Sequence, residues 1–298
     1  MPPAPLPAEL VALAREYDEG GREPVAPRDA ATVVLMRDGS GGPAGGLEVY
    51  LLRRHTSMEF AAGMAVFPGG GVDARDFDAS VGWAGPSPQE WAQALGCEPD
   101  LARALVCAAV RETFEESGVL LAGASADEVV GDTTGEDWEA DRAALESRDL
   151  ALTAFLERRG LVLRTDLLAV WDAWLTPAFE PRRYRTWFFA ASLPEGQVTR
   201  DVSTESSSVT WTAAGAAVDA ADAGELMLMP PTYLNCLAVA QHVDAASALD
   251  SARDRRVTMH CPSVEPLGEE HVLSMPDHLR PLVAARAART SGSPGSAS

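Results

Sequence analysis

The sequence predicts an α/β fold of the α+β kind, with a mixed β-sheet covered by helices. Three observations predict it. Two β-rich runs flank a glycine-rich turn near the N-terminus, residues 100–117 carry a helical pattern, and further strand-like and helix-like runs are mixed along the rest of the chain. With 298 residues, 46% of them hydrophobic, the chain can bury one large core.

The first 28 residues read as a peripheral arm, proline-rich and then helical from Ala8 to Tyr17. A first core strand is expected over Ala31–Arg37 and a second over Leu47–Arg54; the glycine-rich segment 38–46 joins them as a hairpin. A third short run, Met64–Phe67, is stopped by Pro68-Gly69-Gly70-Gly71. Residues 73–99 look irregular. From Asp100, a plausible N-cap, to Ser117 the apolar residues Leu101, Leu105, Ala108 and Ala109 mark one helical face, and Gly118 is placed to end the helix. Residues 136–159 read as one charged, more exposed helix. Strands follow at 167–175, 184–193 and 207–212, and a helix at about 232–243. The expected organisation is an arm at 1–28, a catalytic domain at 29–248 with an insertion at about 73–99, a packed segment at 249–283, and a disordered tail at 284–298.

Forty-four acidic residues against 24 basic ones give a net charge of −20. Such a surface repels nucleic acids and anionic membranes, so neither is expected as a partner; a phosphate-bearing ligand would need a local cationic device. Cys97, Cys107, Cys236 and Cys261 show no C-x-x-C spacing, which excludes the usual structural zinc and disulfide patterns. The five histidines form no ligand spacing either. Met1–Pro7 lacks the basic start and apolar run of a secretory signal, and a cytoplasmic location is expected.

The chemistry is concentrated in Arg111-Glu112-Thr113-Phe114-Glu115-Glu116-Ser117-Gly118. On a helix, Glu112, Glu115 and Glu116 share one turn, and like charges at that spacing repel unless a cation sits among them. Hard divalent ions with oxygen ligands, Mg2+ or Mn2+, are natural occupants. Arg111 is placed to pair with a carboxylate and fix its orientation. Upstream, Phe67-Pro68-Gly69-Gly70 forms a glycine loop whose backbone can approach a metal or phosphate closely.

In these stretches the chain resembles the Nudix hydrolases, whose box reads G-x5-E-x7-R-E-U-x-E-E-x-G-U, with U an apolar residue. Gly70, Arg111-Glu112, Phe114, Glu115-Glu116 and Gly118-Val119 fit it, and Thr113 stands at the first apolar position. Arg111 lies 41 positions after Gly70, where the box has 14, so an insertion splits the motif. Counting back eight from Arg111 reaches Arg103 where the box has its first glutamate. A split box resembles the branch typified by the peroxisomal coenzyme A diphosphatase, as do Trp174–Pro177, Arg182–Phe189, Leu193-Pro194, Glu205, Trp211 and Met229–Thr232.

The resemblance implies an α/β/α sandwich and metal-assisted cleavage of a diphosphate linkage in a small nucleotide derivative, most readily coenzyme A or acyl-coenzyme A. It implies metal ligation by Glu112, Glu115, Glu116 and the Gly70 carbonyl, with Arg111 as orienting partner and Glu112 or Glu205 as base. Arg53, Arg54, Phe67, Gly69, Gly70 and Arg183 are the expected substrate contacts. Glu59 stands where the coenzyme A signature has an arginine, so ADP-ribose, NADH or another nucleoside diphosphate derivative is the alternative substrate, and a non-catalytic nucleotide-binding module the alternative function. A homodimer is one assembly compatible with the chain.

Overall fold

A computed structural model describes residues 5–40, 46–55, 61–204 and 206–291. The chain runs through helix α1 (Ala8–Asp18), strands β1 (Arg28–Asp38), β2 (Leu47–Arg54), β3 (Ala65–Val66), β4 (Gly69–Gly71) and β5 (Trp83–Ala84), and helices α2 (Pro88–Leu95) and α3 (Pro99–Ser117). Strand β6 (Ala122–Gly123), helices α4 (Glu136–Glu146) and α5 (Leu152–Arg159), and strands β7 (Val162–Arg164), β8 (Leu168–Leu175), β9 (Tyr184–Ser192) and β10 (Ser206–Ala213) follow. Helices α6 (Ala214–Asp222), α7 (Pro230–Val239) and α8 (Ala245–Ala252), the hairpin β11 (Val264–Leu267) and β12 (Glu270–Leu273), and helix α9 (Arg280–Ser291) complete it.

The main sheet is mixed, in the order β10-β2-β1-β9-β8; β1 pairs parallel to β9 and antiparallel to β2. Successive side chains of β1 serve opposite faces. Val33 and Leu35 enter one core with α3, around Leu105, Phe114 and Phe189, while Val34 and Met36 enter a second with Trp171, Phe188 and helices α6 to α8. The Val/Leu/Met run of β1 is continuous because both faces are covered. Burying each Leu or Phe in these layers contributes roughly 1.5–3 kcal/mol. The expected helix–sheet–helix sandwich is the observed one.

Along the edge away from β9, β1 changes partner. Met36, Arg37 and Asp38 pair with β2, whereas Ala30, Ala31 and Thr32 pair with the glycine strand β4, opposite Gly71, Gly70 and Gly69. The switch sets the glycines directly beneath the C-terminal half of α3.

Several boundaries differ from expectation, each for a local reason. Residues 73–99 are not irregular: α2 is held by a Ser87/Glu90 capping box with Pro88 at its first turn, and Trp91 and Leu95 are buried in the core. Helix α3 begins at Pro99 after Glu98, so Asp100 lies in its first turn and not at its cap. The single helix expected over 136–159 is two, α4 and α5, and is partly buried through Arg142, Leu145 and Phe155. Residues 284–291, expected in a disordered tail, belong to α9, which is seated by Leu282 and Val283 against the second core and by Arg286 on Asp219 and Asp222.

Among the described residues no helix is long and apolar enough to cross a membrane. Burial pushes the Cys107 and Cys236 thiols each up to about 12.

Strand β4 fits only because Gly69 has no side chain. A Cβ there would meet the Ala31 carbonyl oxygen at 2.5 Å and Thr32 Cα at 2.6 Å, both backbone atoms with no freedom to yield. Gly69→Ala is expected to destabilise the fold by about 1–3 kcal/mol, read as a lowered urea midpoint at unchanged slope.

Candidate active site

Helix α3 carries the acidic turn. Its apolar residues face the core, Thr113 and Ser117 return their hydroxyls to the carbonyls of Ala109 and Thr113, and Gly118 ends it with φ +75°. Glu112 and Glu116, one turn apart, lie on the same side and line a cavity of about 770 Å³ together with Gly69, Gly70 and Gly71. The Gly69 N–H donates to Glu116 Oε2 at 2.8 Å. A Cβ on Gly70 would fall 2.4 Å from Glu112 Oε1, so the bare glycine is what admits this carboxylate.

Glu115 departs from the expected cage. It is buried behind the other two, 7% exposed, and accepts from Arg111 Nη1 at 3.3 Å with both oxygens. Burial first, then the neighbouring Glu112 carboxylate, push it up to about 7 against the pull of Arg111. Among the described residues no three Asp, Glu, His or Cys side chains form a preformed metal cage.

Arg111 is the hub. It donates Nε and Nη2 to Asp76 at 3.0 and 2.9 Å, Nη1 to Glu112 at 2.7 Å, and Nη2 to the Gly71 carbonyl at 3.1 Å. Asp76, 3% exposed, also accepts from the Asp73 N–H, and its turn is fastened by Arg75, whose hydrogen bonds hold the Asp73 carboxyl down at about 2. Three carboxylates therefore share one guanidinium, with Glu116 beside them. Such surplus negative charge around hard oxygen donors and a glycine cradle fits a divalent cation. Mg2+ in particular is held through one or two carboxylates plus substrate phosphates and needs no all-protein cage.

Other expected residues separate. Arg54, Phe67, Gly69 and Gly70 line the cavity. Arg53 does not: it points to solvent and bonds the Gly63 carbonyl. Arg183 is buried and spent on the carbonyls of Thr176 and Val25, so its role is to tie the arm to the start of β9. Glu205, and with it Glu59, lies outside the described residues. Missed from sequence were Asp76, Arg148 and the apolar wall of the cavity.

Comparison with known proteins decides the family. Residues 86–238, just over half of the chain and including all of α3, match the NUDT19 Nudix domain family. The chain belongs to the Nudix hydrolases. It is 29% identical over 201 residues to putative nudix hydrolase 7 of Caenorhabditis elegans, covering 66% of this chain and 57% of that protein. Against acyl-coenzyme A diphosphatase NUDT19 of Gallus gallus it is 26% identical over 250 residues, covering 69% of this chain and 66% of the relative. The chain thus spans less than two thirds of either relative. A crystal structure of a Nudix hydrolase from Alicyclobacillus acidocaldarius superposes with a TM-score of 0.65 at 28% identity, covering 76% of this chain and 97% of that one.

Within the Nudix box, the first acid is found by counting forward. The sixth residue after Gly70 is Asp76, the spacing of G-x5-E, and it is Asp76 that grips Arg111. Counted from Gly70, the spacing of the box is kept as far as Asp76, and the additional residues lie between Asp76 and Arg111. Arg103, reached from the other end, lies over the Trp83 ring at 5.6 Å and takes no part in the site. The forward count was available in the sequence; it required placing the insertion on the far side of the acid.

Removing one member of a buried ion pair leaves the other uncompensated. Asp76→Asn should cost about 3–5 kcal/mol in urea denaturation, whereas Arg103→Ala, remote from the cluster, should stay within about 1 kcal/mol.

Proposed function

We propose that this Nudix chain hydrolyses the diphosphate bridge of a nucleotide derivative with Mg2+ or Mn2+, and that its substrate is coenzyme A or an acyl-coenzyme A. The observation that carries the reading is the convergence of Glu112 and Glu116 with the Gly69–Gly71 backbone on the floor of one large cavity. The choice of substrate is supported by the family match and by the named activity of the Gallus gallus relative. A cavity of about 770 Å³ also exceeds what a diphosphate alone would fill.

Glu112, Glu116 and the Gly70 carbonyl would hold the cation. Bound there, it would neutralise the diphosphate and lower the pKa of an attacking water. Arg111 fixes the Glu112 carboxylate by its 2.7 Å hydrogen bond, and Asp76 in turn fixes Arg111. Glu112 or Glu205 would take the proton from the attacking water. Glu115 acts behind the site, sharing Arg111 and keeping the helix turn in register.

The test is a panel of coenzyme A, acyl-coenzyme A, NADH and ADP-ribose, each with Mg2+ or Mn2+, read by mass spectrometry. Coenzyme A should give 4′-phosphopantetheine and adenosine 3′,5′-bisphosphate, and EDTA should abolish the cleavage. Glu112→Gln and Glu116→Gln should each lower kcat roughly a hundredfold or more, since a lost ligand forfeits several kcal/mol of charge stabilisation. Nucleotide binding without any product at any metal concentration would overturn the proposal.

A further inference from the structure

Among the described residues two non-glycine residues have positive φ, Ala61 at 51° and Arg148 at 65°, and both line the same cavity. A side chain in the left-handed region costs stability, and it persists where the surroundings over-determine it. The turn at Arg148 is so determined. Its N–H bonds the Leu145 carbonyl at 2.9 Å, and its own carbonyl accepts from Arg75 Nη1 at 2.8 Å. Arg75 grips Asp73, two residues beyond the glycine strand, at 3.0 Å. On the other side Glu146 accepts from the Thr204 N–H and hydroxyl, and Ser206 pairs with Arg54 in the sheet. The Arg148 backbone is thereby fixed to Leu145 and to Arg75, in the turn after the glycine strand, while the neighbouring Glu146 ties the same helix end to Thr204.

Its side chain is held by nothing comparable. Among the described residues no hydrogen bond or ion pair engages the Arg148 guanidinium, which is exposed at the cavity. Of the described lining residues, the arginines are Arg54 and Arg148, both on that flank, in a protein of net charge −20. Across Gly69–Gly71, the opposite flank is mostly apolar, with Trp174, Tyr184, Phe188, Met229, Leu234 and Met275, and Glu180 is its one acidic member among the described residues. The arginines of the cavity lie on one side of the acidic floor and most of its aromatic surface on the other.

We infer that Arg148 binds a phosphate on the nucleotide half of the substrate, with Arg54 beside it, while the apolar arm of the substrate lies against β8, β9, α7 and the C-terminal segment. The inference rests on the function proposed above and adds an orientation and a phosphate-binding residue to it. A guanidinium without a partner among the described residues, on a backbone fixed before binding, meets a phosphate with two parallel N–H donors and little reorganisation.

Calorimetric titration separates the two halves, with adenosine 3′,5′-bisphosphate and 4′-phosphopantetheine as probes. Arg148→Gly removes the side chain and suits a φ of 65°, so its melting temperature should equal or exceed that of wild type. It should bind the bisphosphate roughly tenfold to a hundredfold more weakly and phosphopantetheine unchanged, and Arg148→Lys should recover part of the loss. Wild-type affinity for the bisphosphate in Arg148→Gly, or equal loss of both probes, overturns the assignment of Arg148. Wild type that binds neither probe and cleaves no coenzyme A overturns the underlying function instead.

Discussion

The site depends on one buried arginine. Arg111 is gripped in two places by Asp76 and holds Glu112, Glu115 and the Gly71 carbonyl with what remains. Desolvating a guanidinium and several carboxylates is unfavourable by several kcal/mol per ion, and the cluster is retained only because nearly every donor of Arg111 has an acceptor. The arrangement joins two pieces of chain far apart in sequence: β4 with the turn that follows it, and helix α3. It also leaves negative charge in excess, which disposes the site toward a cation without building a closed cage for one.

The sheet decides where that cluster sits. Because β1 is buried on both faces, it cannot give up its ladder partners, yet it exchanges β2 for β4 part-way along. The exchange opens the sheet at the point where α3 crosses it, and the strand inserted there is made of glycine, so the carboxylates approach the backbone directly. A side chain on Gly69 or Gly70 would close the gap from opposite directions, against β1 or against Glu112. Fold and site are thus limited by the same two residues.

What was legible in the sequence was what local rules encode. The β1/β2 hairpin, the span of α3, its ending at Gly118 and the later strands all follow from alternation, helical periodicity and a glycine stop. Glu112 and Glu116 were legible because i and i+4 fix a shared face. Glu115 stands at i+4 from Arg111 as well as beside Glu112, and its side chain turns to the arginine and does not line the cavity. The break between α4 and α5 has no glycine or proline to announce it. It is imposed by tertiary bonds from Thr204 to Glu146 and from Arg75 to the Arg148 carbonyl, together with the Ser147–Asp149 hydrogen bond. Helix α9 was hidden by a tail of serine and glycine, although Ala284–Ala288 are good helix formers and Arg286 had acidic partners waiting on α6.

The charge of the molecule gives these pieces a common sense. A surface of −20 excludes polyanions at long range, but within a Debye length of about 10 Å the local field of a few side chains prevails. The cavity places its arginines at one end, its surplus carboxylates on the floor and its aromatic and aliphatic wall at the other. An anion that enters is attracted at Arg54 and Arg148, and over the floor it meets the repulsion of Glu112 and Glu116 unless a cation offsets their charge. Long-range repulsion of polyanions and a local excess of carboxylate over the floor are therefore two consequences of one charge distribution.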